Sequence, residues 1–227
     1  FLGLLALLHP ILAQAQWESV GGGVRYGQVL DMLWSPDEQG LVVVGSMHHA
    51  SEQFIEVNGT AFWHDGAWLP FGSGVNDASP GFTQAVDEVF QAVIYQNELT
   101  VVGLFDSIGG NPLAGHVARW HNGGWLGFDT VPTFEGNTYG LSVIDEELHL
   151  HGTFDTIAGV PAQNWAIWNG DHWRPGDTTG VFTWSTKEAI EYEGRLYVGG
   201  NFETQDGRND LLMKVGDAWQ ELGPGLQ

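Results

Sequence analysis

Cysteine is missing, and positive charge nearly so. Seven Lys and Arg stand against 28 Asp and Glu, a formal net charge of −21 over 227 residues. Without cysteine there is no disulfide scaffold, no thiol nucleophile and no cysteine-ligated zinc or iron–sulfur site. Without clustered Lys and Arg the chain lacks the surface that nucleic acids or anionic lipids require. Long apolar runs are scarce. Phe1 to Leu8 is too short to span a bilayer, and no other segment reaches the roughly 18 apolar residues of a membrane helix. Sustained helical periodicity, a G-x-S-x-G elbow and a phosphate-binding glycine loop are also absent. Yet 43% of the residues are hydrophobic and 12% aromatic, too apolar for a disordered polyanion. The composition describes a folded, acidic, turn-rich protein.

Two residue types are in excess, 33 glycines and 11 tryptophans. The glycine share is about twice ordinary usage. At the N-terminus, His9-Pro10 ends the apolar run and Ala13-Gln14-Ala15 follows. That order is the pattern of a secretory signal peptide cut after Ala15. Residues 1–15 are therefore expected to be a signal peptide, truncated at its own N-terminus, and the mature chain to be secreted or held at the cell surface.

The tryptophans disclose a repeat. Trp17, Trp68, Trp125, Trp173 and Trp219 stand 51, 57, 48 and 46 residues apart. Five residues before the last four stand Trp63, Trp120, Trp168 and, as the exception, Lys214. Between the two columns lie His64-Asp65-Gly66-Ala67, His121-Asn122-Gly123-Gly124, Asn169-Gly170-Asp171-His172 and Val215-Gly216-Asp217-Ala218. Asp-Gly or Asn-Gly between apolar runs is a strong hairpin signal, because a type I′ turn needs positive φ at both central residues. A second column set precedes it. Leu41–Gly45, Leu99–Gly103, Leu148–Gly152 and Leu196–Gly200 align without gaps, sharing Gly45, Gly103, Gly152 and Gly200. Two residues after that glycine come Met47, Phe105, Phe154 and Phe202. A further apolar run precedes each of these segments.

Each repeat is thus four short strands, and units of this length match the blade of a β-propeller better than any helical solenoid. The expected fold is all-β, a β-propeller with four repeats over 16–227. The blades fall at about 24–71, 72–128, 129–176 and 177–224, with 17–23 as a lone outer strand. That phase, and the missing inner strands to match the lone one, lead us to expect an incomplete ring and a fragment.

Leu196-Tyr197-Val198-Gly199-Gly200-Asn201-Phe202, followed by Trp219-Gln220-Glu221-Leu222-Gly223-Pro224-Gly225, resembles the kelch-like repeat of secreted bacterial surface proteins, of the kind common in Bacteroidetes. It is also similar to the Rax2-type propeller repeat. The resemblance covers residues 17–227 and implies fold rather than function. The kelch superfamily includes a copper oxidase, but its Tyr–Cys cross-link is impossible here.

Turns between the first and second strands, and between the third and fourth, are tight and lie on one face. The other connections are longer, differ between repeats and lie on the opposite face: Ser46 to Asn58, Asp106 to Gly115, Asp155 to Asn164, Glu203 to Asp210, and Gly72 to Glu88. Variable loops on a rigid scaffold are where binding usually sits. Within them His48, Asp106, Asp155 and Glu203 occupy one repeat position. Four copies around an axis would make a partly acidic ring whose carboxylate oxygens would suit calcium, but each Asp also has the chemistry to cap its own turn. Turn capping is the expectation, so no cofactor or metal site is assigned. His149 and His151 lie on one face of a strand and read as polar packing. His48-His49 points its side chains apart. Asp87-Glu88 and Asp145-Glu146-Glu147 read as solvated turns. Trp34, Trp165 and Trp184 break the repeat and read as core filling, with solvent-facing stacking the alternative for Trp184. No catalytic residues are assigned.

Two functions of different class remain. One is a non-catalytic binding module, whose long-loop face, including His48, Asp106, Asp155, Glu203 and Trp184, meets an extracellular protein or a glycan. The other is an extracellular lyase or glycosidase on the same scaffold.

Overall fold

The computed structural model describes residues 18–76, 88–112, 116–128, 134–177, 182, 184–203 and 209–222. The predicted signal segment and Trp17 lie outside them.

Four antiparallel meanders follow one another along the chain. The first sheet runs Val29–Ser35, Gly40–Gly45, Thr60–His64 and Ala67–Pro70. The second runs Glu88–Tyr95, Glu98–Leu104, Val117–His121 and Gly124–Leu126. The third runs Phe134–Ile144, Glu147–Ile157, Trp165–Trp168 and Trp173–Pro175. The fourth runs Ser185–Tyr192, Arg195–Glu203, Asn209–Val215 and Ala218–Glu221. In each, spatial order equals sequence order. The fold is all-β, and the described residues contain no helix. The hairpin dipeptides turn as their chemistry requires: Asp65 and Gly66 have φ of 47° and 80°, Asn122 and Gly123 of 49° and 81°.

One expected element differs. Residues 18–23 form no strand. Gly21, Gly22 and Gly23 all take positive φ, at 52°, 81° and 73°, and the Gly23 N–H closes a turn on the Val20 carbonyl at 2.8 Å. Three left-handed glycines in a row cannot form extended chain. The first strand is instead Val24–Arg25, paired with His49–Ala50.

The shared glycines mark a β-bulge in every sheet. Opposite Gly45, Gly103, Gly152 and Gly200 the first strand carries one extra residue, in turn Leu30, Phe90, Tyr139 and Lys187. The bulge brings backbone against backbone. A Cβ at Gly45, Gly103 or Gly152 would collide with the carbonyl oxygen of Gln28, Glu88 or Asn137, so only glycine fits there.

Successive sheets pack face to face through their first and second strands. Three apolar clusters fill the spaces between them. Val42 and Val44 meet Val101 and Trp125 between the first and second sheets. Val102 and Val117 meet Leu150 and Trp173 between the second and third. Trp165 and Ile167 meet Val198 and Trp219 between the third and fourth. A fourth cluster, around Val43, Met47 and Trp68, lies on the other face of the first sheet, with Val24 packed against it.

The tryptophan columns explain this regularity. Cross-strand pairs Trp63–Trp68, Trp120–Trp125 and Trp168–Trp173 hold centroids 5.3–5.4 Å apart. In the last repeat Lys214 stacks over Trp219 at 5.4 Å. The second tryptophan of each pair is buried. The Trp68 indole donates to the Val20 carbonyl at 3.0 Å, and Trp125 to Phe71 at 2.9 Å. Each acceptor lies three residues after the equivalent tryptophan of the preceding repeat. Among the non-repeating tryptophans, Trp165 is core, 1% exposed, but Trp34 and Trp184 are 62% and 67% exposed. Core filling is therefore right for Trp165 and wrong for the other two. Trp184 is left to the solvent-facing alternative.

Candidate functional site

Non-repeating chemistry gathers at the long loops of the first repeat. Val24–Arg25, His49–Ala50 and Ile55–Glu56 form a small antiparallel sheet. Its base is apolar: Met47, Ala50 and Val57 are fully buried, and Val24 and Ile55 pack against them. The turn from Ser51 is fixed by the Ser51 N–H on the Gly23 carbonyl at 2.8 Å, and by the Gln53 N–H on Ser51 Oγ at 3.1 Å.

Above that base stand three rings and a cation. The Tyr26 ring meets His49 edge-on at 5.7 Å and lies 6.2 Å from Phe54. His49 meets Phe54 edge-on at 6.0 Å. The Arg25 guanidinium sits over the Phe54 ring at 5.3 Å. Tyr26 is 66% and Phe54 48% exposed, so both rings face solvent. Both also have left-handed backbone, with φ of 58° and 56°. A bulky residue at positive φ is a rare, strained choice, at a cost of about 1–3 kcal/mol each, and such strain gathers at functional sites. Arg25 Nε and His49 Nδ1 are buried without a hydrogen-bond partner among the described residues. An exposed aromatic platform beside an uncommitted guanidinium is equipped for stacking and for anion contact.

Of the residues that sequence assigned to binding, His48, Asp106, Asp155 and Trp184 are all exposed. His48 adjoins the platform, its backbone N–H on the Arg25 carbonyl at 3.3 Å. Asp106 stands near His116, whose pKa is lowered by burial against the opposing pull of that carboxylate. The Asp155 carbonyl accepts the Ala162 N–H at 2.9 Å, inside its own loop. Glu203 ends the second strand of the fourth sheet; its side chain lies outside the described residues. Among the described residues no three His, Asp or Glu side chains come together as a group able to hold a metal ion. His48, Asp106 and Asp155 are thus not brought together. Arg25, Tyr26 and Phe54 escaped the sequence reading. Their one visible signal was that the first repeat matches the others least.

His149 and His151 are buried, and each is held by a hydrogen bond. Trp165 Nε1 donates to His149 Nδ1 at 3.1 Å. The Ala189 N–H donates to Ser142 Oγ at 3.0 Å, and Ser142 donates to His151 Nε2 at 3.4 Å. His151 Nδ1–H donates to Thr186 Oγ1 at 3.2 Å, and Thr186 passes its own proton to the Asn164 carbonyl. The last acceptor has no proton to give, which fixes every direction in the chain. Burial lowers His149 to about 4, with Arg174 adding to the effect. Burial and then the His149 neighbour lower His151 to about 3. Both imidazoles are therefore neutral: His151 links the third sheet to the fourth through Thr186, and His149 is tied to Trp165 within the third.

Clefts also open between successive sheets on the tight-turn side. The cleft between the first and second sheets is about 360 Å³ and includes Glu98 and Trp120. That between the third and fourth is about 380 Å³ and includes His149, Trp165 and Lys214. Their cations are engaged: Arg119 pairs with Glu98, Arg174 with Glu147, and Lys214 lies over Trp219. The Tyr26–Phe54 platform is the stronger candidate, because its rings are exposed together in strained backbone and Arg25 Nε beside them is buried without a hydrogen-bond partner among the described residues. No protein-family model matches the chain, and no curated protein matches it either.

Proposed function

We propose that the protein is a non-catalytic, exported recognition module built from β-propeller blades, and that its long-loop face does the binding. The observation that carries this reading is the exposed Tyr26–Phe54 platform, held in strained backbone over a rigid base on that face. Two features support the finer fold. Four meanders of the same strand order pack in sequence order, and neighbouring sheets meet through their first and second strands, as blades do around an axis. No closed ring is seen.

A catalytic site needs unlike groups converging on one point with shifted pKa values. The strongly shifted groups here, His149 and His151, are used up in structural hydrogen bonds. The platform instead offers flat apolar area with polar edges, the chemistry of a saccharide or peptide surface. The experiment is a glycan array and a protein pull-down with wild type and with loop-exchanged variants over Ser46–Asn58 and Asp177–Lys187. Binding is expected to disappear with the first exchange. Binding that survives both would overturn the face assignment, and depolymerisation of a polysaccharide would overturn the non-enzymatic reading.

Export rests on the Leu-rich run and Ala13-Gln14-Ala15. N-terminal mass analysis of secreted protein is expected to begin at Gln16; a peptide retaining Leu7-Leu8 would refute the cleavage.

A further inference from the structure

The platform is flanked by a charge with no counter-charge among the described residues. The chain holds four acids for every base, and the other described Arg and Lys side chains are engaged. Arg119 and Arg174 have carboxylate partners, Lys187 and Lys214 lie over aromatic rings, and Arg195 donates to the Met213 sulfur. Arg25 has no ion pair and no hydrogen bond from its side chain among the described residues. Its contact is the Phe54 ring. It is half-buried, its Nε is out of reach of water, and His49 Nδ1 beside it is equally unpartnered. In a molecule so rich in carboxylates, a guanidinium with no carboxylate partner among the described residues, stacked on an exposed ring, is a vacant anion site.

The rings add a second requirement. Tyr26 and Phe54 present flat, electron-rich faces to solvent, which suit the C–H face of a sugar ring. A guanidinium matches a carboxylate through two parallel hydrogen bonds. We propose that the platform binds a uronic acid unit of an acidic glycan. The sugar ring stacks on Tyr26 and Phe54, and its carboxylate lies on Arg25. This rests on the platform being a binding surface and adds the charge of what it takes. The overall −21 charge does not forbid it, because charges beyond about 8 Å are largely screened at physiological salt. It does limit it: Glu52 and Glu56 stand in the adjoining turn and strand, so the site suits a single carboxylate rather than a dense polyanion.

The test is calorimetric titration of the whole chain with a short oligogalacturonate and with its methyl ester, which keeps the sugar and removes the charge. Wild type is expected to bind the acid about tenfold more tightly than the ester, about 1.4 kcal/mol. Arg25→Gln should bring the acid down to the ester's level, Arg25→Lys should recover part of the preference, and Phe54→Ala should weaken both ligands. Melting curves check that each variant folds. Equal binding of acid and ester, or a preference that survives Arg25→Gln, overturns the carboxylate assignment and leaves the platform standing. No binding of either ligand to wild type overturns the uronate. Acid binding untouched by both Tyr26→Ala and Phe54→Ala overturns the platform itself.

Discussion

At the residue scale, tryptophan carries the fold, because one side chain does two jobs. Its rings fill the space between sheets, and its N–H reaches back to the preceding repeat. Trp125 is 4% exposed and donates to the Phe71 carbonyl. Trp125→Ala should cost about 3–5 kcal/mol through lost burial and a cavity. Trp125→Phe keeps most of the apolar contact but leaves the Phe71 carbonyl without its donor, for about 1–3 kcal/mol. Urea titration separates the two, and an unchanged midpoint in Trp125→Ala would refute the packing role. These tryptophans are legible in sequence because packing repeats wherever the sheet interface repeats. Trp34 and Trp184 were not. Strand parity decides which way a side chain points, and each first strand carries a bulge that inverts parity partway along.

At the scale of elements, the bond between the third and fourth sheets is unusually polar. The second and third sheets share two simpler parts: Thr138 Oγ1 donates to the carbonyls of Gly103 at 3.0 Å and His116 at 3.4 Å, and the Leu141 N–H donates to Gln91 Oε1 at 2.6 Å. Between the third and fourth, the equivalent Thr186 is joined by His151 and Ser142. Both buried histidines are neutral when folded and charge near pH 6.5 when unfolded. The unfolded chain therefore binds more protons below pH 6.5. Stability from this interface is whole above that pH and falls as the pH drops toward 4 and then 3. Each histidine contributes about 1.4 kcal/mol per pH unit to that loss. His151→Gln should be less stable than wild type at pH 7, because Ser142 and Thr186 lose a well-placed partner. Between pH 6.5 and 5 it should lose about 2 kcal/mol less than wild type. Denaturant titrations at both pH values measure this, and equal losses in the two proteins would sink the assignment.

At the scale of the whole molecule, each sheet rests on its neighbours in the chain, so stability is quasi-one-dimensional. The terminal faces differ from the inner ones. Ile190 and Tyr192, on the first strand of the fourth sheet, are exposed, whereas Val93 and Tyr95 at the same repeat positions pack against the third sheet. On the first sheet, Met32 and Trp34 are likewise exposed. The pattern that covers an apolar strand thus comes from the next sheet, not from the strand itself.

The sequence by itself determined the all-β class, the four meanders, the hairpin turns and the glycine and tryptophan columns. These depend on local propensity, turn chemistry and a packing surface that recurs at a fixed period, and all three are written along the chain. Tertiary structure alone decided the candidate site. Arg25 and Tyr26 are far from Phe54 in sequence and become neighbours only when Val24–Arg25 pairs with His49–Ala50. Positive φ at Tyr26 and Phe54 then turns both rings outward, a conformation neither residue favours alone. It also decided the place of the two histidines: His151 joins Ser142 of its own sheet to Thr186 of the next, and His149 accepts from Trp165 within the third sheet. Periodic contacts leave a periodic trace in sequence; a site made once, by long-range pairing and local strain, leaves none.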